Sequence, residues 1–208
     1  MSPRPYQLGR RKAASDQTRE RILAAARELL ATPGGLAGFT IDAIAQQAGV
    51  ARMTIYYQFR SKRGLLEALC DALAMRGGIE QLCTAFQQPR PLDALDQFVA
   101  TFGRFWDSDR LVIRRLNSLG ALDAELEAVL QGRAERRRGG ARVIVGRLTE
   151  AHGRPAPGSF HEAVEVLHTL TSFETFDTLA GATRNPMEMV PLVQRMVRAA
   201  LGIEGDRQ

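Results

Sequence analysis

Between positions 52 and 62 the chain gathers Arg52, Met53, Thr54, Tyr56, Tyr57 and Lys62. These residue types suit contact with duplex nucleic acid. An arginine fork can donate two parallel hydrogen bonds to guanine, and a methionine can touch a thymine methyl. Thr54 and Tyr57 offer hydroxyls to phosphates or base edges. Lys62 suits a phosphate as a point charge, and Thr40, upstream, suits one too. Tyr56 divides between two roles, part core wall and part phosphate contact.

Such residues need a helix short enough to enter the major groove and a support that fixes its angle. The segment Phe39 to Val50 supplies the support. Thr40 is a natural N-cap. Ile41, Ile44 and Ala45 form one apolar face, and Gly49 falls where a positive φ would end the helix. A second short helix then spans Ala51 to Tyr57, turning Ile55 inward and its polar face outward. Two short helices joined at Ala48-Gly49-Val50 have the pattern of a helix-turn-helix. Ser61 caps a following helix striped by Leu65, Leu66, Leu69, Ala72 and Leu73.

The charge distribution agrees. Residues 1–72 hold 11 Lys and Arg against 6 Asp and Glu, whereas residues 73–208 hold 17 of each. The whole excess of +5 therefore lies in the first third of the chain. A basic segment of this kind points to an anionic partner, nucleic acid first. Only Lys12 and Lys62 are lysines, which reads as the codon bias of a GC-rich genome. The basic stretch from Arg133 to Arg142 reads as a solvated helix face.

The stretch "FTIDAIAQQAGVARMTIYYQFRSKRGLLEAL", beginning at Phe39, resembles the DNA-binding domain of the TetR family of transcriptional regulators. Thr40, Ile44-Ala45, Ala48-Gly49-Val50, Thr54-Ile55-Tyr56-Tyr57, Phe59, Ser61-Lys62 and Leu65-Leu66 carry the resemblance. It covers about residues 15–75. Gln58 stands where histidine is common, and the loop from Pro33 to Gly38 is slightly long. By this resemblance Tyr57 and Lys62 meet phosphate, and Arg52, Met53 and Thr54 meet bases.

The rest of the chain reads as helical, giving an all-α fold of nine or ten helices in three parts. Residues 1–14, with two prolines and Arg10-Arg11-Lys12, are expected as a flexible basic arm. Residues 15–75 form the helix-turn-helix domain, whose first helix starts near Ser15 and is striped by Ile22, Ala25, Ala26, Leu29 and Leu30. Residues 76–208 form a second helical domain, with helices over Pro91–Asp107, Leu111–Leu119, Asp123–Ala151, Phe160–Ala180 and Pro186–Leu201.

The resemblance implies that the last two helices pair with those of a second copy. Leu167, Leu170, Phe173 and Leu179 would line one side of that seam, and Met189, Leu192, Val193, Met196, Val197 and Ala200 the other. The homodimer would bind a palindromic operator. The resemblance also implies a small-molecule effector among the middle helices. The aromatic group Phe98, Phe102, Phe105 and Trp106, with His168, is the candidate lining, and it suits an apolar or aromatic compound. Phe86, Cys83, Arg104, Asn117 and Thr171 lie nearby in the same reading. The helix Ser61–Arg76 would be the hinge through which the effector releases DNA. A ligand-independent or partner-controlled DNA-binding protein, or an activator, is the alternative.

Several classes are disfavoured. There is no phosphate loop, nucleophile elbow, dinucleotide fingerprint or metal-ligand helix motif, so neither an enzyme nor a cofactor is expected. Cys70 and Cys83 fit no zinc site. No apolar run approaches the ~20 residues of a membrane span, and the first residues lack a signal peptide's apolar core. A cytoplasmic location is expected.

Overall fold

The computed structural model describes residues 4–153 and 158–203, with the backbone alone for Arg4–Arg11 and His152. Among the described residues every regular element is helical: eleven α-helices and two 3₁₀ turns. They are α1 (Arg4–Ala31), α2 (Ile41–Ala48), α3 (Arg52–Phe59), α4 (Lys62–Arg76), α5 (Leu82–Gln87) and α6 (Pro91–Ser108). Then follow α7 (Arg110–Gly120), α8 (Ala124–His152), α9 (Phe160–Leu170), α10 (Phe173–Ala180) and α11 (Val190–Ala200). The 3₁₀ turns are Ile79–Gln81 and Pro186–Met189.

The chain divides into two compact units, Met1–Ala72 with Arg114–Val129, and Leu73–Ile113 with Leu130–Gln208. In the first, α1 packs on α2 and α3. Ile22, Ala25, Ala26 and Leu30 of α1 are buried, as are Ile41, Ile44 and Ala45 of α2, Ile55 and Phe59 of α3, and Leu65, Leu66 and Leu69 of α4. Residues 114–129 join this unit through side chains as well as the chain path. Arg115 donates from Nη1 to the carbonyl of Leu30 and, at 2.6 Å, to that of Thr32. Leu30 lies in the last turn of α1 and Thr32 just beyond it, so the guanidinium helps cap the helix C-terminus.

In the second unit α6 lies at the centre of the core. Leu95, Phe98, Val99, Phe102 and Trp106 pack with Ile144 and Val145 of α8, Val164 and Leu167 of α9, Phe176 of α10, and Val193 and Val197 of α11. Arg110 closes the end of α10, donating to the carbonyls of Asp177, Gly181 and Arg184 at 3.0, 2.7 and 2.9 Å and to the Asp177 carboxylate at 2.6 Å. Arg147 does the same for α5, donating to the carbonyl of Phe86 at 2.9 Å. The preference for arginine over lysine thus has a structural use beyond codon bias: one fork can hold several terminal carbonyls.

Three expectations change. Residues 4–14 are not an irregular arm, because α1 begins at Arg4. A proline in a first helical turn removes no bond, so Pro5 does not stop it. The single helix expected over Phe160–Ala180 is broken between Leu170 and Phe173. There Ser172 accepts from the Thr175 backbone N–H at 3.2 Å and starts α10, and the Trp106 indole donates to the Thr171 carbonyl at 3.0 Å. Finally, Leu167, Phe173, Met189, Val193 and Val197, expected on an intermolecular seam, are buried within their own unit.

Candidate nucleic-acid interface and aromatic core

The α2–turn–α3 segment is built by its caps. Thr40 Oγ1 accepts from the Ala43 N–H at 3.1 Å, fixing the start of α2. Gly49 ends it with φ 62°, a conformation that disfavours a Cβ. The N–H of Gly49 then reaches the Gln46 carbonyl and that of Val50 the Ala45 carbonyl, at 3.1 and 3.0 Å. The α1 helix clamps the motif from behind. Arg21 donates to the carbonyl of Ala48 and Arg19 to that of Gln58, each at 3.0 Å. Arg19 also lies over the Phe59 ring, 4.3 Å from its centroid. The Gln58 side-chain amide donates to Ser15 Oγ at 3.1 Å. The variant Gln58 is therefore a tie between α1 and α3.

With Ile55 and Phe59 inward, the opposite face of α3 is left to solvent. Met53 is 72% exposed and Tyr57 83%, although both are large and apolar-bodied. Thr54 and Tyr56 are half-buried. Thr40 is exposed and is occupied as the α2 cap. Arg52 is accessible and already engaged. Its Nη1 lies 2.7 and 3.0 Å from the two Asp42 carboxylate oxygens, and its Nη2 lies 3.4 Å from the Tyr56 hydroxyl. Tyr56 and Asp42 together hold the guanidinium more firmly protonated than usual. Lys62 also has a partner, pairing through Nζ with Asp123 Oδ2. The sequence expectation thus brings six of its residues to one short stretch, and it missed the two carboxylates, Asp42 and Asp123, that hold the cations there.

Residues 22–69 match the model of the family described as bacterial regulatory proteins, tetR family. That match places residues 22–69 with the TetR family's N-terminal domain. Its helix-turn-helix is that family's DNA-binding element. No curated protein sequence matches the chain. Among solved structures it resembles NalD, the secondary repressor of the MexAB-OprM multidrug efflux pump in Pseudomonas aeruginosa, at 21% identity and a TM-score of 0.69. That alignment covers 91% of this chain and 98% of NalD. It also resembles PfmR from Thermus thermophilus, at 20% identity and a TM-score of 0.63, covering 87% and 98% of the two chains. A TetR transcription regulator from Haloarcula marismortui aligns at 15% identity with a TM-score of 0.68, covering 90% and 97%. At these identities the likeness is one of fold, and it extends over both units.

In the second unit the aromatic residues expected as effector lining form one connected group. Phe98 and Phe102 meet edge to face at 5.0 Å between centroids, Phe102 stacks on Trp106 at 6.0 Å, and Trp106 meets Phe105 at 4.4 Å and Phe173 at 5.7 Å. Phe98 is 0% exposed, Phe102 4% and Trp106 8%. His168 flanks the group from α9. Burial and the adjoining Arg137 and Arg138 push its pKa below the usual histidine value.

The residue that sequence reasoning missed is Arg137. It lies within the basic stretch read as a solvated face, yet its guanidinium sits 6.0 Å from the Phe102 ring centroid and 5.8 Å from that of Trp106. Its Nη2 is 3.1 Å from His168 Nε2. A signal for it existed. Counting back by helical spacing from buried Ile144 and Ala141 arrives at Arg137, so the core stripe of α8 extends through it. Arg138 beside it lies against Glu165 of α9, Nε to Oε1 at 2.9 Å, and also pairs with Glu135.

Proposed function

We propose that this protein is a dimeric transcriptional repressor that reads a palindromic operator with α3 and releases it when a small molecule binds the second unit. The observation that carries the reading is the outward face of α3. Large side chains left in water on a helix of eight residues, beside an arginine and a threonine, suit a surface that meets DNA rather than one kept for stability. Arg52, Met53 and Thr54 are the base-reading set, and Thr40, Tyr56, Tyr57 and Lys62 the phosphate set.

Dimerisation would set two recognition helices about one DNA turn, ~34 Å, or more apart. The partly exposed residues of α9 and α11, Leu170, Leu192 and Met196, are the candidates for that interface. An effector acts by population shift: it must bind better to the form whose recognition helices misfit the operator. Helices α4, α7 and α8 supply residues to both units and are the candidate route.

One observation favours a second reading, in which DNA binding is independent of ligand. The rings of Phe98, Phe102 and Trp106 pack against one another and are almost wholly buried. Selection of bound duplexes from a random pool, repeated with a panel of small molecules, separates the two. An inverted repeat lost in the presence of one compound supports the ligand-released repressor. An inverted repeat indifferent to every compound supports the second reading, and the absence of an inverted repeat overturns the dimeric operator.

A further inference from the structure

The inward stripe of α8 carries a half-buried charge, Arg137, with no carboxylate in contact with it among the described residues. Arg137 is enclosed enough that desolvation pushes its pKa down to about 10. Its Nε is buried and makes no hydrogen bond. Its hydrogen-bonding partner is the neutral imidazole of His168, and Glu174, an exposed residue, acts on it only through space. The neighbouring Arg138 is treated differently, with carboxylates at both hands. A half-buried guanidinium without a contacting anion still pays part of the cost of desolvation.

Building on the ligand-released reading above, we infer that Arg137, the faces of Phe102 and Trp106, and His168 form a binding site for a carboxylate carried on an apolar or aromatic body. The unpartnered Nε–H is a donor free for a carboxylate oxygen, and arginine–carboxylate pairs are short and strong. The guanidinium lies 6.0 Å from the Phe102 centroid and 5.8 Å from that of Trp106, and these rings would pack against the ligand's apolar part. His168 keeps the charge balance at one. The Ala134 carbonyl accepts a hydrogen bond from its ring, which leaves Nε2 bare to accept from Arg137 in the neutral tautomer. A single cation is therefore available, which matches a monoanionic carboxylate and leaves a phosphate dianion with one charge uncompensated.

The test uses the full chain and two acids, decanoate and 1-naphthylacetate, each against its uncharged alcohol. Trp106 is the single tryptophan, so its emission reports the site directly. At least one acid should shift that emission saturably and raise the melting temperature. Its alcohol should bind about tenfold more weakly or worse, as expected when a charged hydrogen bond is removed. Arg137→Met should abolish the preference for acid over alcohol, and Arg137→Lys, which keeps the charge, should retain part of it. Helical circular dichroism checks that both variants fold. Failure of both acids to bind, equal binding of acid and alcohol, or an acid preference surviving in Arg137→Met would each overturn the site. Operator release is scored separately: an acid that binds at Trp106 and leaves the operator bound overturns the release mechanism and not the site.

Discussion

Lys62 and Asp123 are joined at the first turns of two different helices. Lys62 opens α4, and Asp123 opens α8 while accepting from the backbone N–H groups of Glu125 and Leu126 at 3.1 and 3.2 Å. One carboxylate thus caps a helix and neutralises a lysine proposed to meet DNA. Docking on a phosphate must draw Lys62 away from Asp123 or share it.

Lys62→Ala and Asp123→Asn should therefore have opposite effects on DNA. Removing one lysine–phosphate pairing makes the slope of log affinity against log salt shallower by about 0.9. Lys62→Ala should weaken binding to all sequences and flatten the slope by roughly that amount. Asp123→Asn keeps a capping side chain and frees the lysine, so binding to random duplex should tighten. An unchanged slope in Lys62→Ala would remove Lys62 from the phosphate set.

The same pair gives an acid signature. Lys62 holds the Asp123 carboxyl below its usual pKa. A carboxylate lowered in the folded state adds stability above its unfolded pKa of about 3.9, and that stability is lost as the pH falls through the folded value. The pair is partly exposed, so its worth is under about 1 kcal/mol. Wild type should exceed Asp123→Asn by such a margin near pH 6, and the difference should close below about pH 4 in thermal unfolding.

Arg52 should behave as a reader of sequence. Replacing it by alanine removes a fork suited to one guanine, so affinity for the selected operator should fall roughly 10- to 100-fold, with discrimination lost at a single position of each half-site. Equal loss on every duplex would make Arg52 a phosphate contact. Its pairing with Asp42 in the free protein positions the guanidinium near the start of α3, where the first residues of a recognition helix meet base edges.

Much of this could be read before any coordinates, for a physical reason. Thr40, Gly49 and Ser61 act on backbone within a few residues of themselves, so the caps of α2 and α4 and the turn between α2 and α3 follow from local rules. The stripes Ile22–Leu30 and Leu65–Leu69 have helical spacing and one polar flank. What escaped was decided at long range. The break at Thr171-Ser172 depends on the Trp106 indole, 65 positions upstream. The enclosure of half-buried Arg137 comes from rings of α6 and an imidazole of α9, and its charge disguised its place on the apolar stripe. Seam residues such as Val193 and Val197 carry the same apolar signal whether they face a partner or their own core.

The turn between α3 and α4 makes a sterically sharp prediction. Arg60 takes a positive φ of 68°, and the chain doubles back so closely that a Cβ on Gly64 would collide with the Phe59 carbonyl oxygen. That oxygen is backbone and cannot swing aside. Gly64→Ala should cost about 1–3 kcal/mol by overpacking, read as a lower midpoint in urea. Gly132→Ala, where a Cβ meets open space within α8, is the control and should raise the midpoint slightly, by about 0.5–1 kcal/mol of helix propensity. Equal midpoints for the two variants would refute the close approach.

His168 should make the second unit sensitive to mild acid. Its pKa is lowered, first by burial and then by Arg137 and Arg138. The unfolded chain therefore binds a proton more readily than the folded one. Stability should be fully present above the unfolded value near 6.5 and should decline as pH drops through it toward the folded value. Protonation would also take away the Nε2 acceptor and set two cations 3.1 Å apart. His168→Gln keeps an acceptor for Arg137 and cannot titrate. Thermal unfolding at pH 7.5 and 5.5 should show a drop in wild type that is smaller in His168→Gln. If both lose stability equally, the acid response lies elsewhere and the neutral imidazole is not what holds Arg137 in place.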